Sequence, residues 1–325
     1  VGAAGSVVTL LARRPLGSTG LTVSSLGVGT AGWRAESPVP LVEQLRLADA
    51  VLRHPVVNVI DTSNNYGAGQ SERRVGLALD EAGGVPEGFV ISAKADRDMR
   101  TGEFTAERMR RSLEESLARL GLDRFPLLFL HDPENISWAD ATAPHGPLAA
   151  LVEARERGLI ERLGVSGGPT RMLREFLELG EFVAVMTHNR WTLVDRSADE
   201  LLSYAHERGV GVFNAAPLGG GLLVEHPPRT TRYAYGEAHP ALLGAVEQFA
   251  RIANDAGIAL AALALQFSMR DPRIDSTILG LASVEELDTA TARVADAIPD
   301  DVWDAVEAVT LDASTFQDSL IPWRR

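Results

Sequence analysis

The chain has 325 residues, 45% hydrophobic and 23% charged, with a net charge of −13 and no cysteine. That acidity, with no basic patch to offset it, argues against non-specific affinity for nucleic acid or an anionic membrane surface. Without thiols there are no disulfides or thiolate metal sites, and the seven histidines show neither HExxH nor Cys/His spacing, so a reducing, cytoplasmic setting and no metal are expected.

Residues 1–12 are small and apolar and precede Arg13-Arg14, the reverse of the order in a secretory signal, and read as a flexible lead-in or a capping strand. No later run reaches the roughly 18 apolar residues of a membrane span. Residues 14–25 alternate turn formers and β residues like a short hairpin, and 26–30 form a first buried strand. Helical spacing follows at 41–52, a strand at 56–62, and a helix at 70–80 with Gly83-Gly84 behind it. Strand three is 89–94. The next helix starts at Thr105-x-x-Arg108 and closes on Gly121, and strand four is 127–131.

The alternation continues with helix 148–157, strand 162–166, helix 171–179, strand 183–187, helix 198–208 and strand 210–214. An insertion at 219–237, rich in prolines and aromatics, reads as a loop over one end. Two helices at 239–256 and 258–270, strand eight at 276–279, and helices at 284–295 and 300–309 complete the chain. Length alone suggests about two domains. Eight apolar strands separated by helices, with no linker-like gap, instead predict one α/β domain over residues 1–325: a (β/α)8 TIM barrel with an N-terminal hairpin and extra helices before strand eight and at the C-terminus. The alternative, an open doubly wound sheet, would want a glycine-rich phosphate turn early on, and no GxGxxG follows the first strand.

In such a barrel the chemistry gathers where strands end. Strand two ends at Asp61, three at Lys94 and four at His131, with Tyr66 just beyond strand two. Each has a bland reading: a capping acid, a surface tyrosine, a structural ion pair, a core histidine. Their joint appearance on consecutive strands favours a site. A phenol titrates near ~10, too high for proton transfer at neutral pH unless neighbours tune it. A cationic Lys94 would favour the phenolate, Asp61 would hold Lys94 in place, and His131 would bond the same substrate oxygen. Tyr66 is then a general acid for a carbonyl or a base for an alcohol.

With these residues in place the sequence resembles the aldo-keto reductases over nearly its whole length. The resemblance rests on Leu16-Gly17-x-x-Gly20, on Asp61-Thr62-Ser63-x-x-Tyr66-Gly67-x-Gly69-x-Ser71-Glu72, and on Ser92-x-Lys94, Leu130-His131-Asp132-Pro133 and Gly164-Val165-Ser166 in order. It implies a catalytic tetrad of Asp61, Tyr66, Lys94 and His131, and an extended nicotinamide dinucleotide bound without a Rossmann motif. Ser166 and Asn189 correspond to the groups holding the carboxamide, although Gly167 stands where an asparagine is usual. The ring-stacking aromatic would fall near Ala215 and is absent. Asn214 belongs to the same segment, and Pro217, Leu218, Gly219 and Gly221 match the loop over the pyrophosphate. Gly280, Ala282 and Asp288 correspond to the adenosine-phosphate segment. Leu281 and Ala282, followed by carboxylates, stand where NADP-preferring members carry Lys or Arg, so NAD is expected over NADP.

The pairing of residues 187–195 with 214–219 resembles the branch acting on L-fucose, D-threo-aldoses or pyridoxal, which implies oxidation of a sugar hemiacetal to a lactone, or of pyridoxal. Trp33, Asn65 and Trp138 are then expected at the substrate. The expected partner is a small molecule, and the chain is read as a monomer or small homo-oligomer. An NADPH-dependent carbonyl reductase of detoxification or biosynthesis, and a non-catalytic cofactor-binding regulatory subunit, are the alternatives.

Overall fold

The computed structural model describes residues 10–34, 37–320 and 323, so most of the expected lead-in, residues 1–9, lies outside the described residues. An antiparallel hairpin, β1 (Arg13–Pro15) with β2 (Thr22–Ser24), comes first. The strands β3 (Leu26–Gly29), β4 (Val59–Asp61), β5 (Val90–Ala95), β6 (Leu127–His131), β7 (Leu163–Gly167), β8 (Ala184–His188) and β9 (Gly211–Ala215) follow. Near the end of the chain Ser276–Gly280, strand β12, pairs in parallel with both β9 and β3 and closes an eight-stranded barrel. Between β9 and β12 lies a small antiparallel ribbon, β10 (Arg232–Tyr233) and β11 (Gly236–Glu237). The helices, in chain order, are α1 (Leu41–Leu52), α2 (Gln70–Glu81), α3 (Ala106–Leu120), α4 (Trp138–Ala141), α5 (Pro147–Glu156), α6 (Thr170–Leu177) and α7 (Asp199–Glu207). They continue with α8 (Pro240–Asp255), α9 (Leu260–Met269), α10 (Val284–Ala295), α11 (Asp300–Glu307) and α12 (Gln317–Leu320).

Strand alternation separates two cores. Inside the barrel, Val59, Val90, Leu127, Phe129, Ala184, Met186, Phe213 and Ile278 pack together, and the hairpin plugs the lower end with Leu16 and Val23. Space for the large members comes from glycine: a Cβ on Gly164 would lie 2.4 Å from the Phe129 ring. A much larger apolar layer joins the outer faces of the strands to the helices. Helix ends follow local chemistry. Thr105 accepts from Arg108 N at the start of α3, and Gly121, at φ 67°, ends it.

Three expectations change. Strand two is shorter than 56–62, because Asn58 turns aside to bond Thr22 O, Gly88 O and Ser24 N, tying this stretch to the hairpin instead of the barrel. The insertion at 219–237 is not loop alone but carries the β10–β11 ribbon. The expected set of helices grows by the short α4 and α12, in stretches where the sequence reading placed no element. Among the described residues no single helix is long and apolar enough to cross a membrane; α8 and α9 pass that test only together, bent by 102°.

Candidate active site

Asp61 ends β4, Lys94 is next to last in β5, and His131 ends β6. All three share the inward face of their strands with the apolar floor below, so floor and polar mouth are set by one period-two pattern. Tyr66 arrives from the turn between β4 and α2, where Ala68, Gly67 and Gly69 at φ 54°, 58° and 82° curl the chain back over the barrel end.

Lys94 Nζ, only 1% exposed, uses all three protons: on Asp61 Oδ2 at 2.5 Å, Thr62 O at 2.9 Å and Tyr66 Oη at 3.1 Å. An ammonium only donates, so Tyr66 Oη accepts here and its own proton is left for the cavity. Ser92 Oγ donates to the other Asp61 oxygen at 2.9 Å. Burial raises the Tyr66 phenol well above its usual range, with Lys94 opposing and Asp61 adding to the rise. Lys94 acts in the expected direction, toward the phenolate, but burial is the larger effect, and the free site holds Tyr66 as a protonated donor. Burial pushes the Lys94 ammonium down, but Asp61 and Tyr66 outweigh it and hold Lys94 above its usual value.

A carboxylate that the sequence reading missed completes the cluster. Asp96 Oδ1 lies 2.5 Å from His131 Nδ1, and Ser63 Oγ and Asn65 N, the latter at 3.0 Å, donate to Asp96 Oδ2. Asp96 lies two residues beyond Lys94, so the same alternation that points Lys94 inward pointed to it. Asp132 Oδ1 lies 3.5 Å from His131 Nε2. Burial disfavours a charged His131, yet Asp96 and Asp132 outweigh it and raise the imidazole.

Two hollows meet at these residues. One, of about 370 Å³, opens at the barrel mouth over Met186, Ala215 and Ile278, beside Ser166, His188, Asn189 and Gly280. The other, of about 700 Å³, lies beside it and is lined by Arg34, Asn65, Asp96, Asp98, Arg100 and Arg108 among others. They share Ala31, Tyr66, His131 and Asp132. In the first hollow Asn189, at φ 55°, keeps Oδ1 buried without a partner while its Nδ2 donates to His188 Nδ1 at 3.2 Å. An unpartnered buried acceptor near the Ser166 side of the hollow fits a primary carboxamide, which brings two N–H donors and an acceptor. His188 is held neutral, lowered to about 4 by burial and by Arg190. It meets the ring of Tyr235 edge-on at 5.7 Å, and Tyr235 stands 78% exposed at the tip of the β10–β11 ribbon, over the hollow.

Several expected site residues lie elsewhere. Ala215 faces the mouth, so its neighbour Asn214 faces outward, where its Nδ2 donates to Trp191 O and Ser268 Oγ. Trp33 is 1% exposed and donates to Leu281 O, which makes it a loop anchor and not a pocket wall. Trp138 starts α4 behind a Ser137 cap and packs on Phe176 at 4.8 Å, away from both hollows. Asn65 does line the side hollow, its Nδ2 on Arg97 O at 3.3 Å. Pro217, Leu218, Gly219 and Gly221 border the mouth without lining it; Gly219, at φ 59°, lies against the Tyr233 ring, 2.7 Å from where a Cβ would sit. Ala282 N donates to Glu286 Oε2 at 2.7 Å, and Asp288 is exposed on α10, where its charge acts on His54.

The barrel carries a buried Asp–Lys–Tyr cluster at its mouth, and the comparison with known families places it among oxidoreductases. The Aldo/keto reductase family pattern matches residues 25–310, and the chain belongs to that family, whose enzymes use nicotinamide cofactors. The chain is 29% identical to L-galactose dehydrogenase of Arabidopsis thaliana, over 96% of this chain and 94% of that one. It is 29% identical to D-threo-aldose 1-dehydrogenase of a Pseudomonas species, over 88% and 94%, and 27% identical to pyridoxal 4-dehydrogenase of Microbacterium luteolum, over 90% and 95%. An aldo-keto reductase from Bacillus halodurans shares the fold with a TM-score of 0.76 at 21% identity, over 95% of this chain and 99% of that one.

Proposed function

We propose that the protein is an NAD-preferring dehydrogenase of a hydroxyl-rich small molecule, oxidising a sugar hemiacetal to its lactone or, in the same chemical step, pyridoxal. The observation that carries this reading is the Tyr66 hydroxyl, held from behind by Lys94 with its proton free at the junction of two hollows. The mouth hollow takes the nicotinamide end, with Ser166 and Asn189 on the carboxamide and the stretch from Pro217 to Gly221 bordering the pyrophosphate. When bound, the cofactor supplies or accepts the hydride. The side hollow takes the substrate. Its lining of amide, carboxylate and guanidinium groups suits hydroxyls, which would otherwise lose their hydration unpaired.

Tyr66 Oη gives its proton to a substrate carbonyl oxygen in reduction; in oxidation, having first released that proton to solvent, the same oxygen takes up the proton of the substrate hydroxyl. Lys94 stabilises the negative charge that then falls on the tyrosine, Asp61 fixes Lys94, and His131 orients the reacting oxygen. The curated relatives, two of them dehydrogenases of galactose and of an aldose and one of pyridoxal, support oxidation as the direction. The cofactor preference follows from α10. Leu281 is buried, Ala282 is small, and Glu286 already occupies the Ala282 N–H, so a 2′-phosphate would face a carboxylate and no cation. Cofactor-reduction assays over monosaccharides, pyridoxal and simple aldehydes, run with NAD and NADP in both directions, test this. Turnover of at least one sugar or pyridoxal, faster with NAD, is the expected result. Activity confined to NADPH-driven reduction of simple aldehydes points to a carbonyl reductase, and cofactor binding without any turnover points to a regulatory subunit.

A further inference from the structure

Asp96 touches the proton-handling cluster directly, through His131, and has no part in the proton scheme above. We propose that Asp96 is a positioning residue that fixes His131 Nδ1 as a donor, favours the charged ring and turns its Nε2–H toward the substrate oxygen, so that this oxygen is faced by a cation as well as by Tyr66.

The geometry is specific. Asp96 Oδ1 is 2.5 Å from Nδ1, the ring nitrogen away from the reacting centre, which fixes that nitrogen as a donor and sets the ring plane. The other Asp96 oxygen accepts from Ser63 Oγ and from Asn65 N at 3.0 Å, so the carboxylate is itself pinned and stays ionised. Burial alone would raise Asp96, but His131, Ser63 and Asn65 bring it below the ordinary range. The groups facing His131 from each packed element are few. They are Asp132 just past its own strand, Ser63 and Tyr66 from the turn after β4, Lys94 and Asp96 from β5 and just past it, and His188 across the mouth from β8. Glu134 lies beyond Asp132 and bonds Gly168 N at 3.0 Å. His188 is neutral and Lys94 is opposed by Asp61, so the carboxylates decide the charge on the imidazole.

The consequence lies in the site's charge. Tyr66 stays a phenol in the free site, so a developing alkoxide meets a neutral donor on one side. An imidazolium on the other supplies the counter-charge, and this matters more in a partly dry cavity than in water. A group whose folded value is raised keeps its proton below its ordinary range and loses it as pH climbs through the raised value. The cation is therefore fully present below about 6.5, the ordinary histidine value, and is lost as pH climbs through the raised one.

The experiment follows the His131 ring by NMR in the full chain without cofactor, the signal being assigned by its loss in His131→Gln. In the unmutated protein the ring is expected to titrate above about 6.5, the ordinary value for histidine; a midpoint at or below that value overturns the proposal without any need for a variant. In Asp96→Asn, whose amide oxygen still accepts from Asn65 N, the midpoint is expected to fall by about one unit or more. The alkaline limb of kcat/KM for carbonyl reduction should move down with it, and Asp96→Glu should restore part of both. A midpoint and limb unchanged in Asp96→Asn, with reduced rates throughout, would assign Asp96 a merely structural role. Because the titration is read without turnover, it stands or falls independently of which substrate is used.

Discussion

Lys94 shows how one buried charge organises the site. Its partners satisfy every proton, so removing it leaves Asp61 buried, 3% exposed and without its cation. Lys94→Met is therefore expected to cost about 3–5 kcal/mol of stability, seen as a lower denaturation midpoint, together with most of the turnover. Adding Asp61→Asn should recover part of the stability and none of the activity. Asp61, Lys94 and His131 were legible because each is a polar residue at an inward strand position, where the pattern demands burial, and Tyr66 because it stands on the turn directly beyond Asp61. Asp96 was passed over, since it falls one residue past β5, where an acid reads as an ordinary turn residue unless the alternation that points Lys94 inward is carried two residues further. The two tryptophans misled for the opposite reason. Aromatic rings on loops suit a pocket wall or an anchor equally well, and only packing separates the two: Trp33 is sealed beneath Leu281 and Trp138 leans on Phe176.

Among the elements, the β10–β11 ribbon carries the most that sequence periodicity could not reveal. Two residues per strand give no alternation to read, and the ribbon is held by one side chain: Tyr233, whose hydroxyl donates to Asn189 O at 2.8 Å and meets Thr192 Oγ1 at the same distance. This anchor ties the ribbon to the residue proposed to hold the carboxamide, and it places Tyr235 over the mouth from which the usual stacking aromatic is missing at Ala215. Tyr235→Ala is expected to leave the fold intact, because the ring is exposed, and to raise KM by roughly two- to twelvefold, the equivalent of about 0.5–1.5 kcal/mol of aromatic contact. An unchanged KM for both cofactor and substrate would remove Tyr235 from the site. Helix α10, by contrast, was legible to the residue. Ser283 accepts from Glu286 N, a capping pair visible as Ser-x-x-Glu ahead of an apolar stripe. Strand β4 was overread because Val56 and Val57 continue an apolar run, while the Asn58 amide decides where pairing starts.

At the scale of the molecule, the barrel was legible from the count and order of strands, since eight apolar segments separated by helices leave few other closed arrangements. What was not legible is how its mouth divides into two hollows that meet at Tyr66, because that division depends on the turns after β4 and β5 and not on any periodic element. The acidic balance of the chain extends to the segment proposed for the adenosine end, which carries Glu285, Glu286 and Asp288. Ala282→Arg combined with Glu286→Gln is expected to improve kcat/KM with NADP by about tenfold or more relative to NAD, by supplying a guanidinium partner and removing a carboxylate. No change in that ratio would place the adenosine phosphate elsewhere on the barrel. The central claim, that Tyr66 handles the proton while the nicotinamide handles the hydride, is tested most directly by the rate of NAD reduction at saturating sugar in Tyr66→Phe, with NAD affinity measured alongside. The account predicts an unchanged Kd for NAD and a rate lower by roughly 10²–10⁴-fold; a variant that keeps more than about a tenth of the unmutated rate would contradict it.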